Sequence, residues 1–95
     1  MGPMALLSDA DVQAALATLP GWARRGDEIE KAFECGSFAG AVAFVVRIGF
    51  LAEQLDHHPD LDVRWRKVRV ALTTHDAGGL TTKDFDLARR IEDVA

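Results

Sequence analysis

The sequence predicts an α+β fold: a four-stranded antiparallel sheet with three helices on one face, in the order α-β-β-α-β-β-α. Three observations predict it. Three stretches carry apolar residues at steps of three and four, each opened by a capping residue. Two further stretches alternate apolar and polar residues around an internal turn, the pattern of half-buried hairpins. The 95 residues leave room for one hydrophobic core, so residues 1–95 read as a single domain. Helices gathered on one side of the sheet are the simplest way to bury every apolar face at once. The other face is then left for solvent, a ligand or another subunit.

The first helix begins at Ser8, with Asp11 three residues on as an acidic capping-box variant and Leu7 and Val12 placed to form a hydrophobic staple. Val12, Ala15, Leu16 and Leu19 make its apolar stripe, and Pro20-Gly21 ends it. Trp22–Arg25, a Gly26-Asp27 turn and Glu28–Cys35 read as a hairpin. Ile29, Phe33 and Cys35 fall on one face of it; Glu28, Glu30 and Glu34 fall on the other. Ser37 caps the central helix, which runs to about Leu55 with Phe38, Ala41, Val42, Val45, Ile48, Ala52 and Leu55 as its stripe, widened by Phe44 and Leu51. After Pro59 the apolar positions are odd through Leu61, Val63 and Trp65, then even through Val68, Val70 and Leu72. That change of phase places a turn or bulge near Arg66-Lys67. Thr81 caps the last helix, with Asp84 at its third position, a staple from Leu80 and Phe85, and Leu87, Ala88, Ile91 and Val94 as its buried stripe.

Composition excludes several classes. A formal charge of −4 argues against nonspecific nucleic-acid binding, and the local set Arg64, Arg66, Lys67 and Arg69 reads as a solvated strand face. The uncharged part of the central helix stops at Arg47, short of the roughly 20 residues that span a bilayer, so no membrane segment is expected. The lone Cys35 cannot form an intramolecular disulfide and reads as a packing residue, which fits a reducing, cytoplasmic setting. Met1–Pro3 reads as an expression remnant ahead of a native Met4, and the start lacks the charged and apolar regions of a secretory signal.

The residues that carry chemistry are the three histidines. His57 and His58 follow the central helix and are cut off by Pro59, which pushes His58 into an extended conformation. His75 ends the last strand beside Gly78-Gly79. Imidazole exchanges protons near neutral pH, and element ends are where functional side chains gather. A metal is disfavoured, because adjacent residues in extended chain point to opposite sides and His57 and His58 would not share one ion. No Gly-x-Ser-x-Gly elbow or Gly-rich phosphate loop is present. Cofactor-free acid–base catalysis remains. Asp84 is accounted for by capping alone, and Trp22 by the core.

Glu53-x3-His57-His58-Pro59, five residues, Trp65, nine residues, His75, eight residues and Asp84, together with Thr74-His75-Asp76-Ala77-Gly78-Gly79-Leu80-Thr81, resemble the signature of the pterin-4a-carbinolamine dehydratases. The similarity extends back through Pro20-Gly21-Trp22 and covers nearly the whole chain. Trp65 stands where many members have tyrosine, and Gln54 and Val63 stand where animal members often have lysine and asparagine. The resemblance implies a dehydratase that converts a 4a-hydroxytetrahydropterin to the quinonoid dihydropterin in tetrahydrobiopterin recycling, with no metal or organic cofactor. It implies His57, His58 and His75 as the catalytic residues, with His57 and His75 as the acid–base pair and His58 orienting the pterin and sharing in proton transfer. Asp56 and Asp84 would orient imidazoles, and Trp22 and Trp65 would border the substrate. It further implies a homodimer or homotetramer serving an aromatic amino acid hydroxylase. The competing reading is a binding, assembly or transcriptional-cofactor module of the same fold.

Overall fold

A computed structural model describes residues 5–95; the remnant expected at Met1–Pro3 lies outside the described residues. The chain forms α1 (Asp9–Leu16), β1 (Ala23–Arg25), β2 (Glu28–Glu34), α2 (Phe38–Leu55), β3 (Asp60–Arg64), β4 (Lys67–Leu72) and α3 (Thr82–Val94), with a short 3₁₀ turn at His75–Ala77. The order is the expected α-β-β-α-β-β-α. The sheet is antiparallel throughout in the order β1-β2-β4-β3, so the two hairpins join through their second strands.

Pairing explains which side is buried. Ile29 lies opposite Leu72, and Phe33 opposite Val68. These four, with Val70, form the floor of the core, covered by Ala41, Phe44, Ile48 and Ala52 of α2 and by Phe85, Leu87, Ala88 and Ile91 of α3. The opposite face is polar. There Arg25 and Arg69 both bond Glu30, and Arg69 also approaches Glu28. Cys35 sits just past β2, half-buried against the core, and burial pushes its thiol up from the ordinary value, with Glu34 adding and Arg47 offsetting. A protonated thiol is a poor nucleophile, so Cys35 packs.

Three sequence expectations are corrected here. α1 ends at Leu16, one turn early: the carbonyls of Ala15 and Leu16 accept from Thr18 and Leu19 in tight i to i+3 bonds, which fold Leu19 into the core outside the helix. The turn between β3 and β4 falls at Trp65-Arg66, one residue earlier than expected, with a strand on either side of it. A two-residue loop pairs Val63 with Val68, so odd positions of β3 share a face with even positions of β4; this is the change of phase seen in the sequence. Trp65 takes a left-handed φ of 53°, unusual for a bulky residue. Finally, Phe38 and Val42 are exposed. The buried line of α2 runs through Ala41, Phe44, Ile48 and Ala52, and a second apolar line, Phe38, Val42, Val46 and Phe50, faces outward. α2 has the length and hydropathy of a membrane span, but its inner line is built into the core.

Glu30 gives the open face a pH signature. Burial would push its carboxyl up, but hydrogen bonds and charge from Arg25 and Arg69 outweigh this and hold it below the ordinary value of 4.5. A carboxyl depressed in the folded state contributes stability above its unfolded value and loses it as pH falls through the folded one. Urea unfolding should therefore show stability falling below about pH 4.5, with a shallower fall in Glu30→Gln. Equal slopes for the two proteins would mean that the arginine pairs contribute nothing measurable.

Candidate active site

The site is assembled where the end of α2 meets the start of α3. α2 stops in a Schellman arrangement: Asp56 adopts a left-handed conformation with φ 48°, and the N–H groups of Asp56 and His57 donate back to the carbonyls of Glu53 and Ala52. Glycine is usual at such a position; Asp is among the few other residues that tolerate it. The turn directs His57 inward, where it is only 8% exposed, and leaves His58 outside, its Nε2 bonded to Glu53 Oε2 at 2.9 Å.

His57 Nε2 lies 2.6 Å from Oδ1 of Asp84, which has no exposed surface. Asp84 is the third residue of α3 and closes a capping box: its Oδ2 accepts from the Thr81 N–H at 2.9 Å. The same oxygen accepts from the Thr74 hydroxyl at 2.8 Å. Thr74 Oγ1 is also 2.8 Å from Thr81 Oγ1, which accepts from the Lys83 N–H. Each hydroxyl has one proton, so a single assignment satisfies the set: Thr81 donates to Thr74, and Thr74 donates to Asp84. Every neighbour of the carboxylate then donates to it, His57 Nε2–H included. The neutral imidazole is thereby held in one tautomer, with Nδ1 as its free acceptor.

His75 opens the 3₁₀ turn after β4. The loop is closed by paired backbone bonds between Thr74 and Gly79 and by Gly78 in the left-handed region that glycine permits. Its imidazole is exposed and faces the same cleft as the other two. That cleft, about 200 Å³ in volume, is lined by His57, His58, His75, Asp56, Asp76 and Lys83, together with Thr73 and Thr74. Three imidazoles from two element ends thus converge on one opening. Asp84 lies beneath it as the support for His57. Among the described residues no group of His, Cys, Asp and Glu has the arrangement of a metal site.

The structure does not bring the two tryptophans to this cleft. Trp22 is buried edge-on against Phe33, and its indole N–H donates to Glu92 at 2.8 Å. Glu92 lies eight residues beyond Asp84 on α3, about 12 Å along the axis. Trp65 is 71% exposed at the hairpin tip with the Arg66 guanidinium over its ring. Conversely, Thr74, Thr81 and Lys83 belong to the site's surroundings and carry no catalytic sequence signal. The capping box was the one available clue that Thr81 and Asp84 act together.

The fold and the cleft define a class: a small α+β protein whose clustered chemistry is imidazole on a buried carboxylate. Comparison with known proteins narrows it. Residues 5–94 match the family described as Pterin 4 alpha carbinolamine dehydratase, and the chain belongs to that family. A relative from Roseiflexus sp. strain RS-1, provisionally named a pterin-4-alpha-carbinolamine dehydratase, is 59% identical over 93% of this chain and 95% of its own. The crystal structure of a transcriptional coactivator/pterin dehydratase from Brucella melitensis superposes with a TM-score of 0.91 at 32% identity, covering 95% of this chain and 98% of that one. A pterin dehydratase-like protein identified as a RuBisCO assembly factor in the alpha-carboxysome shares the fold, with a TM-score of 0.67 at 24% identity over 79% of this chain and 89% of its own.

Removing the carboxylate strands three donors at once: His57 Nε2, the Thr74 hydroxyl and the Thr81 N–H. Asp84→Ala should lower the unfolding free energy by about 3 kcal/mol or more in a urea titration, as expected for a buried, charge-bearing network that loses its centre. A loss within about 0.5 kcal/mol, the size seen at ordinary surface positions, would show that the network does not hold the helix junction together.

Proposed function

We propose that this protein dehydrates a 4a-hydroxytetrahydropterin to the quinonoid dihydropterin by histidine acid–base catalysis. The observation that carries the reading is the convergence of His57, His58 and His75 on one cleft, with His57 fixed on Asp84. The family and its provisionally named dehydratases support the substrate class.

The reaction moves two protons. The N5–H bond yields its electron pair to a new N5=C4a double bond while the C4a–O bond breaks, and the departing hydroxyl takes up a proton to leave as water. His57 suits the second transfer. With Nε2–H held by Asp84, any proton it carries on Nδ1 faces the cleft, and the carboxylate compensates the imidazolium charge. His75, exposed at the same cleft, takes the N5 proton and returns it to solvent. His58, held by Glu53, orients the ring, and Asp56 borders it. Proton exchange through imidazole requires no metal or organic cofactor. Such assistance is worth about 10²–10⁴-fold. The protein would work in the cytoplasm, where an aromatic amino acid hydroxylase generates the substrate.

A second reading, a binding or assembly module, is favoured by the outward line of Phe38, Val42, Val46 and Phe50 on α2. The two readings coexist, because this line is separate from the cleft. We assign the line to self-association into a homodimer or homotetramer: an uncharged stripe from Phe38 to Val46 is complementary to itself when two copies of α2 pack antiparallel.

Stopped-flow absorbance of a freshly generated 4a-hydroxytetrahydropterin should show faster decay with the wild-type protein. Decay should slow by about 10²-fold or more in both His57→Ala and His75→Ala, with circular dichroism unchanged. Wild-type decay at the buffer rate would reject the dehydratase reading. For the association, sedimentation should give a mass above the 10.3 kDa monomer that Phe50→Glu lowers. A wild-type protein already at 10.3 kDa would remove the self-association assignment.

A further inference from the structure

The catalytic cleft is not the largest cavity. A second one, about 320 Å³, lies between the β1–β2 turn at Arg25, Asp27 and Glu28 and the loop of His75, Gly78 and Gly79. His75 and Thr73 line both cavities, so the two adjoin at His75. We propose that this second cavity is the seat of the substituent carried on the pterin ring, and that Asp27 makes it select against anionic tails. The proposal rests on the dehydratase reading above.

Ring chemistry supplies the direction. The leaving hydroxyl is on C4a, the proton to be removed is on the adjoining N5, and the substituent is on C6, the next atom along. With N5 directed to His75, a group on C6 leaves the ring edge on the His75 side, toward the second cavity. The cavity has a built wall there. The Thr73 hydroxyl donates to the Asp27 backbone carbonyl at 2.6 Å, fastening the β1–β2 turn to the histidine loop. The Asp27 side chain lies against Gly79, where an added Cβ would come 3.8 Å from Oδ1.

The charges decide what the cavity accepts. It is bordered by the guanidinium of Arg25 and the carboxylates of Asp27 and Glu28. Arg25 is bonded to Glu30 at 3.1 Å, and Arg69 is shared between Glu30 and Glu28. Among the described residues, Asp27 is the cavity carboxylate that forms no ion pair. An ionised carboxylate only accepts hydrogen bonds, so it rewards hydroxyl donors and repels another carboxylate.

The test compares kcat/KM for three 4a-hydroxytetrahydropterins bearing a methyl, a dihydroxypropyl or a carboxylate-ended substituent at C6. Wild type should prefer the dihydroxypropyl over the methyl substrate by about tenfold, the order of one charge-assisted hydrogen bond, and disfavour the carboxylate-ended one. Asp27→Ala should bring the first ratio toward one, and Asp27→Lys should raise the carboxylate-to-methyl ratio. Each ratio is taken within one sample, so a partly folded variant still reports. A wild type that favours the carboxylate-ended substrate, or ratios that ignore both substitutions, would overturn the subsite while leaving the dehydratase intact. Decay of all three substrates at the buffer rate would overturn the dehydratase reading itself, and the subsite with it.

Discussion

The carboxylate of Asp84 is the constraint around which this molecule is arranged. It is fully buried, and every group that touches it is a donor: a backbone N–H at the start of α3, the Thr74 hydroxyl after β4 and the His57 imidazole after α2. Burying a charge is costly unless it is so surrounded. The three segments are therefore held in register by the requirement that one oxygen pair be satisfied. Helix capping, loop placement and imidazole orientation are one interaction seen from three sides. Because Thr81 in turn bonds Thr74, the loop bearing His75 is tied to the same point that fixes His57.

Much of this was legible in the sequence, and the reasons differ by element. Caps and staples located Ser37 and Thr81 as helix starts because the side chains that satisfy orphan N–H groups are few. The capping box at Thr81 and Asp84 is legible from spacing and by itself accounts for Asp84; only the family resemblance implies that Asp84 also orients an imidazole. A carboxylate has two oxygens, and one-dimensional spacing describes only the partner four residues or fewer away; His57, 27 residues distant, enters through the fold. The β3–β4 turn was placed one residue late because it contains no glycine, asparagine or aspartate, and Trp65 occupies a left-handed conformation that its side chain does not advertise. The hairpin was announced only by its change of phase.

α2 illustrates a different limit. Nearly every turn of it is apolar, so periodicity alone cannot choose which line faces the sheet. The structure resolves this by size and shape: Ala41 and Ala52 allow close approach, Phe44 and Ile48 fill the middle, and the bulky Phe38 and Phe50 turn outward. The helix has two working sides. One closes the core; the other is apolar surface of a kind that small monomers seldom expose in a continuous line.

The double use of Asp84 has a consequence for reading lineages. A side chain that holds the fold together is retained by any descendant that still folds, whether or not it still turns over a substrate. A histidine whose exposed nitrogen serves only the cleft has no such protection. Within this fold, an aspartate at the Asp84 position is therefore a poor marker of enzymatic descent. On the dehydratase reading proposed above, His75, which is exposed, is the residue whose loss would mark a relative that has exchanged chemistry for scaffolding.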